Sequence, residues 1–184
     1  MTFRMNKDNF LRLTNMSHID IDTVPTDELY ALFDELDRQM SVMYHFILAY
    51  QEYMNTGHDY TAEENLTMIE AHLLTNICDI ENCTSTSLAR AWNRSASATS
   101  QTLRKLIDKN LIYRENAPNN AKIFYLRPTA KGLRVSDAHK RYDVLDTIKT
   151  FKSLRHSLSF DEIDTMFKGL QVYSDLLHKN NKTS

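Results

Sequence analysis

One stretch, Thr84 to Gly132, constrains this chain more than any other: TSTSLARAWNRSASATSQTLRKLIDKNLIYRENAPNNAKIFYLRPTAKG. Its spacing predicts a short helix, a tight turn, a second helix, and two strands joined by a polar loop. The first helix reads from Ser85 to Trp92. Ser85 or Thr86 can cap it, since a side-chain oxygen satisfies a free backbone N–H at a helix start. Leu88, Ala91 and Trp92 recur at spacings of three and four, which puts them on one face. Asn93 falls where the chain must turn sharply with positive φ, a region Asn tolerates best after glycine.

Ser95 is the expected cap of the second helix, which runs to about Lys109 with Thr99, Leu103, Leu106 and Ile107 facing inward. Asn110 takes the place just past a helix end where glycine is preferred. The outward face carries Ala96, Ser97, Ser100, Gln101 and Arg104. A helix that enters a major groove needs small residues for close approach and a few donors for base edges and phosphates. An ordinary solvated helix face would look similar, so the strands that follow matter. Leu111–Glu115 and Lys122–Arg127 are rich in β-formers, with Ile112, Tyr113, Ile123, Phe124 and Tyr125. The turn-forming residues 116–121 lie between them.

This helix, turn, helix and hairpin resembles the MarR family of bacterial winged helix-turn-helix regulators. That family runs Leu-Ala, a glycine four residues later, a Ser/Thr-rich recognition helix, Leu, Gly-Leu-Val, a wing Asp-x-Arg, then Leu-Thr-x-x-Gly. Leu88-Ala89, Ser97, Ser100, Leu106, Leu111-Ile112 and Thr129-Ala130-Lys131-Gly132 match it in register up to the wing. Both family glycines are Asn here, at Asn93 and Asn110, which preserves the backbone role. The wing Asp-x-Arg becomes Asn120-Ala121-Lys122, which loses a charge pair, and Pro128 replaces the Leu before the Thr.

The resemblance implies a mainly α fold with a small β-hairpin wing and long N- and C-terminal dimerisation helices. It implies a homodimer that binds a palindromic operator in double-stranded DNA as a transcription regulator, of the repressor type. The DNA contacts it implies are Arg94, Ser95, Ser97, Ser100, Gln101, Arg104, Arg114, Asn120 and Lys122. Lys122 and Arg114 would take phosphate or sugar. It also implies an effector cleft between the dimer helices and the motif, and the Tyr- and Met-rich first helix favours a small aromatic or lipophilic effector. A metal- or redox-responsive regulator, or a winged-helix module that binds only protein, stays open as an alternative.

Charge supports nucleic acid. The net charge of −2 hides an asymmetry. Residues 1–84 hold 4 Lys/Arg against 15 Asp/Glu, net −11, whereas residues 85–131 hold 9 against 2, net +7. Residues 132–184 hold 9 against 7, net +2. A basic motif inside an acidic chain is what phosphate contact selects for.

Enzyme classes find no support. There is no Gly-x-Ser-x-Gly, no Gly-rich phosphate loop and no His-Glu-x-x-His. Asp161, Glu162 and Asp164 read as a helix start. Among 7 His, His58 clusters with Asp59, Glu63 and Glu64, and His72 and Cys78 follow. No pair has the i,i+4 His or Cys-x-x-Cys spacing of strong zinc motifs, so these read as a polar loop with helix-start acids, and neither metal nor cofactor is expected. Cys78 is expected as a small buried apolar residue and Cys83 as an exposed one. No apolar run approaches the roughly 18 residues that span a bilayer, and the N-terminus lacks a signal peptide's apolar block, so a cytoplasmic protein away from membranes is expected.

With 184 residues and only 3 Gly and 3 Pro, the rest should be mostly helical. Residues 1–25 form a polar extension; Met1–Thr14 fits a short helix or disorder. A dimerisation helix occupies 26–57, starting at Pro25-Thr26 and stopping at Thr56-Gly57. Its apolar stripe runs from Leu29 to Met54 over about 45 Å, which calls for cover from another chain. The DNA-binding domain spans 61–132, its leading helix running from Ala62 to about Asp79. The C-terminal dimerisation helices fill 133–184. One runs to about Arg155; the other starts with a Ser159–Glu162 capping box and buries Phe160, Ile163, Met166, Phe167, Leu170, Tyr173, Leu176 and Leu177.

Overall fold

The computed structural model describes residues 25–61, 64–118 and 120–180. The expectations for residues 1–24 lie outside the described residues. The chain divides into two compact units, Met1–Thr56 and Gly57–Ser184.

The first unit contributes one described element, α1 (Thr26–Asn55), 30 residues long. It begins after Pro25, whose fixed φ suits a helix entry, and it stops where the Thr56 N–H donates to the Glu52 and Tyr53 carbonyls. Much of its stripe is exposed, at Phe33, Leu36, Tyr44, Ile47 and Tyr50, as are Val42 and Leu48 outside it, and Phe46 and Tyr50 stack with centroids 5.7 Å apart.

The second unit opens with β1 (Gly57–Thr61) and β2 (Glu64–Thr67), an antiparallel pair in which His58 faces Leu66 and Asp59 faces Asn65. The expected helix start at Ala62 is therefore wrong. The helix, α2 (Met68–Asp79), begins six residues later at a capping box. There the Glu70 N–H donates to Thr67 Oγ1 at 3.2 Å and the Thr67 N–H donates to Glu70 Oε2 at 3.1 Å. Residues 64–67 pair as a strand with β1, and Glu64 is held from outside, by Lys131 and, at 3.4 Å, by Lys109.

The chain continues through α3 (Ser85–Ala91), α4 (Ala96–Asp108), β3 (Ile112–Ala117), β4 (Asn120–Pro128), α5 (Ala130–Arg155) and α6 (Phe160–Asn180). Leu66, Leu73, Leu74, Ile77, Leu88, Leu103, Leu106, Leu111, Leu126 and Val135 form one buried cluster where α2, α3, α4, the β3–β4 hairpin and α5 meet. Cys83 belongs to this cluster at 1% exposure, which corrects the expectation of an exposed thiol. The Leu126 N–H donates to the Cys83 carbonyl at 2.8 Å, so β4 closes over this loop; burial also pushes the thiol pKa up. Cys78 is only half-buried.

The expected Ser159–Glu162 box forms, with both reciprocal bonds in place. The expected burial of α6 does not appear within one chain. Ile163 is buried at 3% exposure, but Phe160, Phe167, Tyr173, Leu176 and Leu177 are exposed. Among the described residues, no helix is long and apolar enough to cross a membrane.

Candidate nucleic-acid interface

The interface is built from how α3 starts. Its cap is Thr84 and not the expected Ser85 or Thr86: the Ser87 N–H donates to Thr84 Oγ1 at 3.1 Å, and the Thr84 N–H donates to Ser87 Oγ at 3.0 Å. Leu88 points into the core. The helix then stops within one turn. The Trp92 N–H donates to Leu88 O, Asn93 adopts φ 46°, and the Arg94 N–H reaches back to Ala89 O at 2.9 Å. Asn110, with φ 56°, ends α4 in the same way. Both positions are the left-handed ones expected from the sequence. A third, Asn82 at φ 56°, was not foreseen and turns the chain between α2 and α3.

Ser95 caps α4, its Oγ accepting the Ala98 N–H at 3.1 Å. Thr99, Thr102, Leu103 and Leu106 are buried. Thr99 and Thr102 satisfy their hydroxyls locally by donating to Ser95 O and Ala98 O. The opposite face presents Ala96, Ser97, Ser100, Gln101 and Arg104 to solvent. The first turn of α4 carries no acid that would repel a phosphate. Arg94 is turned partly inward: its Nη2 donates to Thr102 Oγ1 at 3.4 Å, and its Nη1 is buried without a partner among the described residues.

The β3–β4 hairpin follows as a wing. Its ladder pairs Ile112 with Pro128 and Glu115 with Tyr125, then shifts register between Asn116 and Ala117. Both strands run longer than the sequence suggested, so the loop is shorter than 116–121. Arg114 and Asn120 are exposed on it. Lys122 lies in β4, but its side chain is outside the described residues. Arg127 is occupied: it donates to Glu115 Oε2 at 2.8 Å and to Asn82 Oδ1 at 3.1 Å, and it lies over the Tyr125 ring.

The hairpin is fixed to the helices at its base. The Thr129 N–H donates to Leu111 O at 2.9 Å, its Oγ1–H donates to Asn110 O at 2.8 Å, and Thr129 Oγ1 caps α5 by accepting the Gly132 N–H at 3.0 Å. Beside it, burial alone would raise the Glu64 carboxyl pKa, but hydrogen bonds from Lys131 and Lys109 hold it below the usual value.

The histidines and acids read as a polar loop take several roles. Asp59 accepts from Asn65 Nδ2 at 2.8 Å, and Glu63 lies outside the described residues. His58 is partly buried against the Tyr142 ring, 5.3 Å between centroids. His72 meets two residues the sequence did not single out, His139 and Asp143 of α5. His139 is 1% exposed, and burial pushes its pKa down to about 4.

Residues 66–124 match the family model described as the MarR family. The chain is 28% identical over 116 residues to an uncharacterized HTH-type transcriptional regulator of Bacillus subtilis, YhjH; the match covers 62% of this chain and 66% of that relative, just short of two thirds of its length. The fold is similar to that in the S. aureus MepR–DNA complex, with TM-score 0.60 and 21% identity, covering 72% of this chain and 96% of that one. It is similar also to Streptococcus pneumoniae FabT in complex with DNA, with TM-score 0.57 and 18% identity, covering 80% and 98%.

Proposed function

We propose that the chain, whose residues 66–124 match the MarR family model, is a DNA-binding transcription regulator rather than an enzyme. The observation that carries this reading is α4. One face is buried to fix the helix, and the other offers Ser97, Ser100, Gln101 and Arg104 to solvent on a segment of net charge +7. Gln101 and Arg104 read base edges; Gln pairs with adenine, and Arg pairs with guanine or phosphate. Ser95, Ser97 and Ser100 allow close approach at the helix N-terminus. Arg114, Asn120 and Lys122 hold backbone phosphate or sugar along the wing. Arg94 supports the turn from inside and contacts DNA only after releasing Thr102.

The chain works as a homodimer, with residues 26–57 and 133–184 as dimerisation segments. The exposed apolar residues of α1 and α6 support this, because a monomer rarely leaves so much apolar surface uncovered. Two-fold symmetry places two copies of α4 about 34 Å apart in successive major grooves, on an imperfect palindrome. Repression from that operator in the cytoplasm, relieved by a small aromatic or lipophilic effector, completes the reading. The exposed Tyr and Phe side chains of α1 favour that class of effector.

A mobility-shift series on duplex DNA at rising salt tests this. The full chain should shift duplex DNA, with affinity falling steeply as salt rises. A chain that shifts no duplex at low salt overturns the proposal.

A further inference from the structure

Three segments converge on the carboxylate of Glu64, at the end of α4 away from its capped N-terminus. The Glu64 side chain is 9% exposed. Its Oε2 accepts from Lys109 Nζ at 3.4 Å, and its Oε1 pairs with Lys131 Nζ. Lys109 is the C-cap of α4, and Lys131 lies in the first turn of α5. Both lysines reach further. Lys109 Nζ donates to the Asn65 carbonyl at 2.6 Å, and Lys131 Nζ donates to the Lys109 carbonyl at 3.2 Å. The last carbonyls of a helix have no partner within it, and a cation there suits the helix dipole. The end of α4 is therefore tied to both β2 and α5. One turn earlier, Lys105 Nζ reaches Glu70 Oε1 at 3.1 Å, but that lysine is largely exposed and adds less.

The hairpin that carries Glu64 is itself fixed. Asn65 Nδ2 donates to Asp59 Oδ1 at 2.8 Å across the β1–β2 pair. A Cβ at Gly57 would stand 2.2 Å from Asn65 Oδ1, so the glycine leaves room for that amide. From β1, the Tyr60 ring meets the His139 and Tyr142 rings of α5 edge-on, at 4.9 and 5.3 Å between centroids.

We infer that the β1–β2 hairpin braces α4 through Glu64, which makes Glu64 a positioning residue for base readout by Gln101 and Arg104. This rests on the reading of α4 as the DNA-reading helix. Both readers lie within a little over two turns of Lys109, so a tilt at that end moves them. Without the carboxylate, two partly buried ammonium groups face each other, and their repulsion parts α4 from α5. The lost negative charge meanwhile leaves the surroundings of α4 more basic, which favours any duplex through its phosphates. Loss of the brace therefore separates specific from non-specific binding, whereas loss of the fold lowers both alike.

Two measurements on the full chain test this, at a temperature where circular dichroism shows wild type and variants folded. Asp79→Asn is the control. It removes the same charge and a close ion pair, Lys140–Asp79 at 2.6 Å, which joins α2 to α5 but not to α4. Amide exchange needs no DNA: Glu64→Gln should open residues 106–110 by more than about 5-fold relative to α2, and Asp79→Asn should not. Fluorescence anisotropy compares the duplex that wild type selects from a random pool with a scrambled one. Glu64→Gln should lower the ratio of the two affinities at least about 5-fold, the low end for one lost base contact, while the scrambled duplex binds as well or better. Unchanged exchange at the end of α4, an unchanged ratio, or a ratio lowered as much by Asp79→Asn overturns the brace. A wild-type chain that prefers no duplex sinks the proposed function alone, and the exchange measurement then decides the brace.

Discussion

Gly132→Ala should destabilise the Gly57–Ser184 unit, although alanine is the better helix former. A Cβ at Gly132 would stand 2.0 Å from the Leu111 carbonyl oxygen and 3.0 Å from its carbon. A comfortable C···O contact is about 3.3 Å, so the start of α5 and the α4–β3 turn must part by about 1.3 Å. That carbonyl accepts from the Thr129 N–H at 2.9 Å. Weakening this bond costs about 0.5–1.5 kcal/mol, and overpacking adds about 1–3 kcal/mol. The gain from replacing a helical glycine returns about 1 kcal/mol, which leaves a net loss of about 0.5–3.5 kcal/mol. Gly169→Ala is the internal comparison. Within its own chain nothing lies within 4 Å of the added methyl, so unless a partner chain packs there only the propensity gain of about 1 kcal/mol remains. Urea melts followed by circular dichroism should move the two midpoints in opposite directions. A Gly132→Ala chain as stable as wild type would refute the close approach.

Three further outcomes follow from the same contacts. Gln101→Ala and Arg104→Ala should each weaken binding to the preferred duplex by about 1–3 kcal/mol, measured by fluorescence anisotropy; wild-type affinity in both would mean this face is not the reader. Glu64→Gln should cost about 1–3 kcal/mol at pH 7, because it removes the charged partner of Lys109 and Lys131. The Glu64 pKa lies below its ordinary 4.5 in the fold, so its contribution is full above that value and fades as pH falls through the lower one. Urea midpoints of variant and wild type should therefore converge in acid, and a constant gap would contradict the ionised pairing. Light scattering should find a dimer for the full chain, and a chain ending at residue 155 should lose it; a monodisperse full-length monomer at micromolar concentration would contradict the terminal-helix interface.

The fold was legible wherever the signal was local. Asn93 and Asn110 marked helix ends because few other residues accept positive φ, and Ser95 and Ser159 marked helix starts by the groups they cap. What was missed depends on distant partners. The β1–β2 hairpin hides in acidic sequence next to a helix, and Lys109 and Lys131, 45 and 67 positions away, anchor Glu64 within it. Cys83 looked exposed between Asn82 and Thr84, and only β4 arriving from Leu126 covers it. The His72–His139–Asp143 cluster escaped for the same reason. A spacing rule sees one segment at a time, and only the packing of α2 on α5 joins these residues. The outward face of α4 was readable from its amphipathic pattern, whereas the inward turn of Arg94 toward Thr102 was not.

Selection of bound duplexes from a random pool by the full-length chain tests the central claim most directly. A dimer that inserts two copies of α4 predicts an enriched, imperfect palindrome whose half-sites lie about 10–10.5 base pairs apart, centre to centre. Gln101→Ala and Arg104→Ala chains should enrich sites altered at defined half-site positions while keeping the spacing. No enriched sequence, or the same sequence from wild type and both variants, would contradict the reading of DNA by α4.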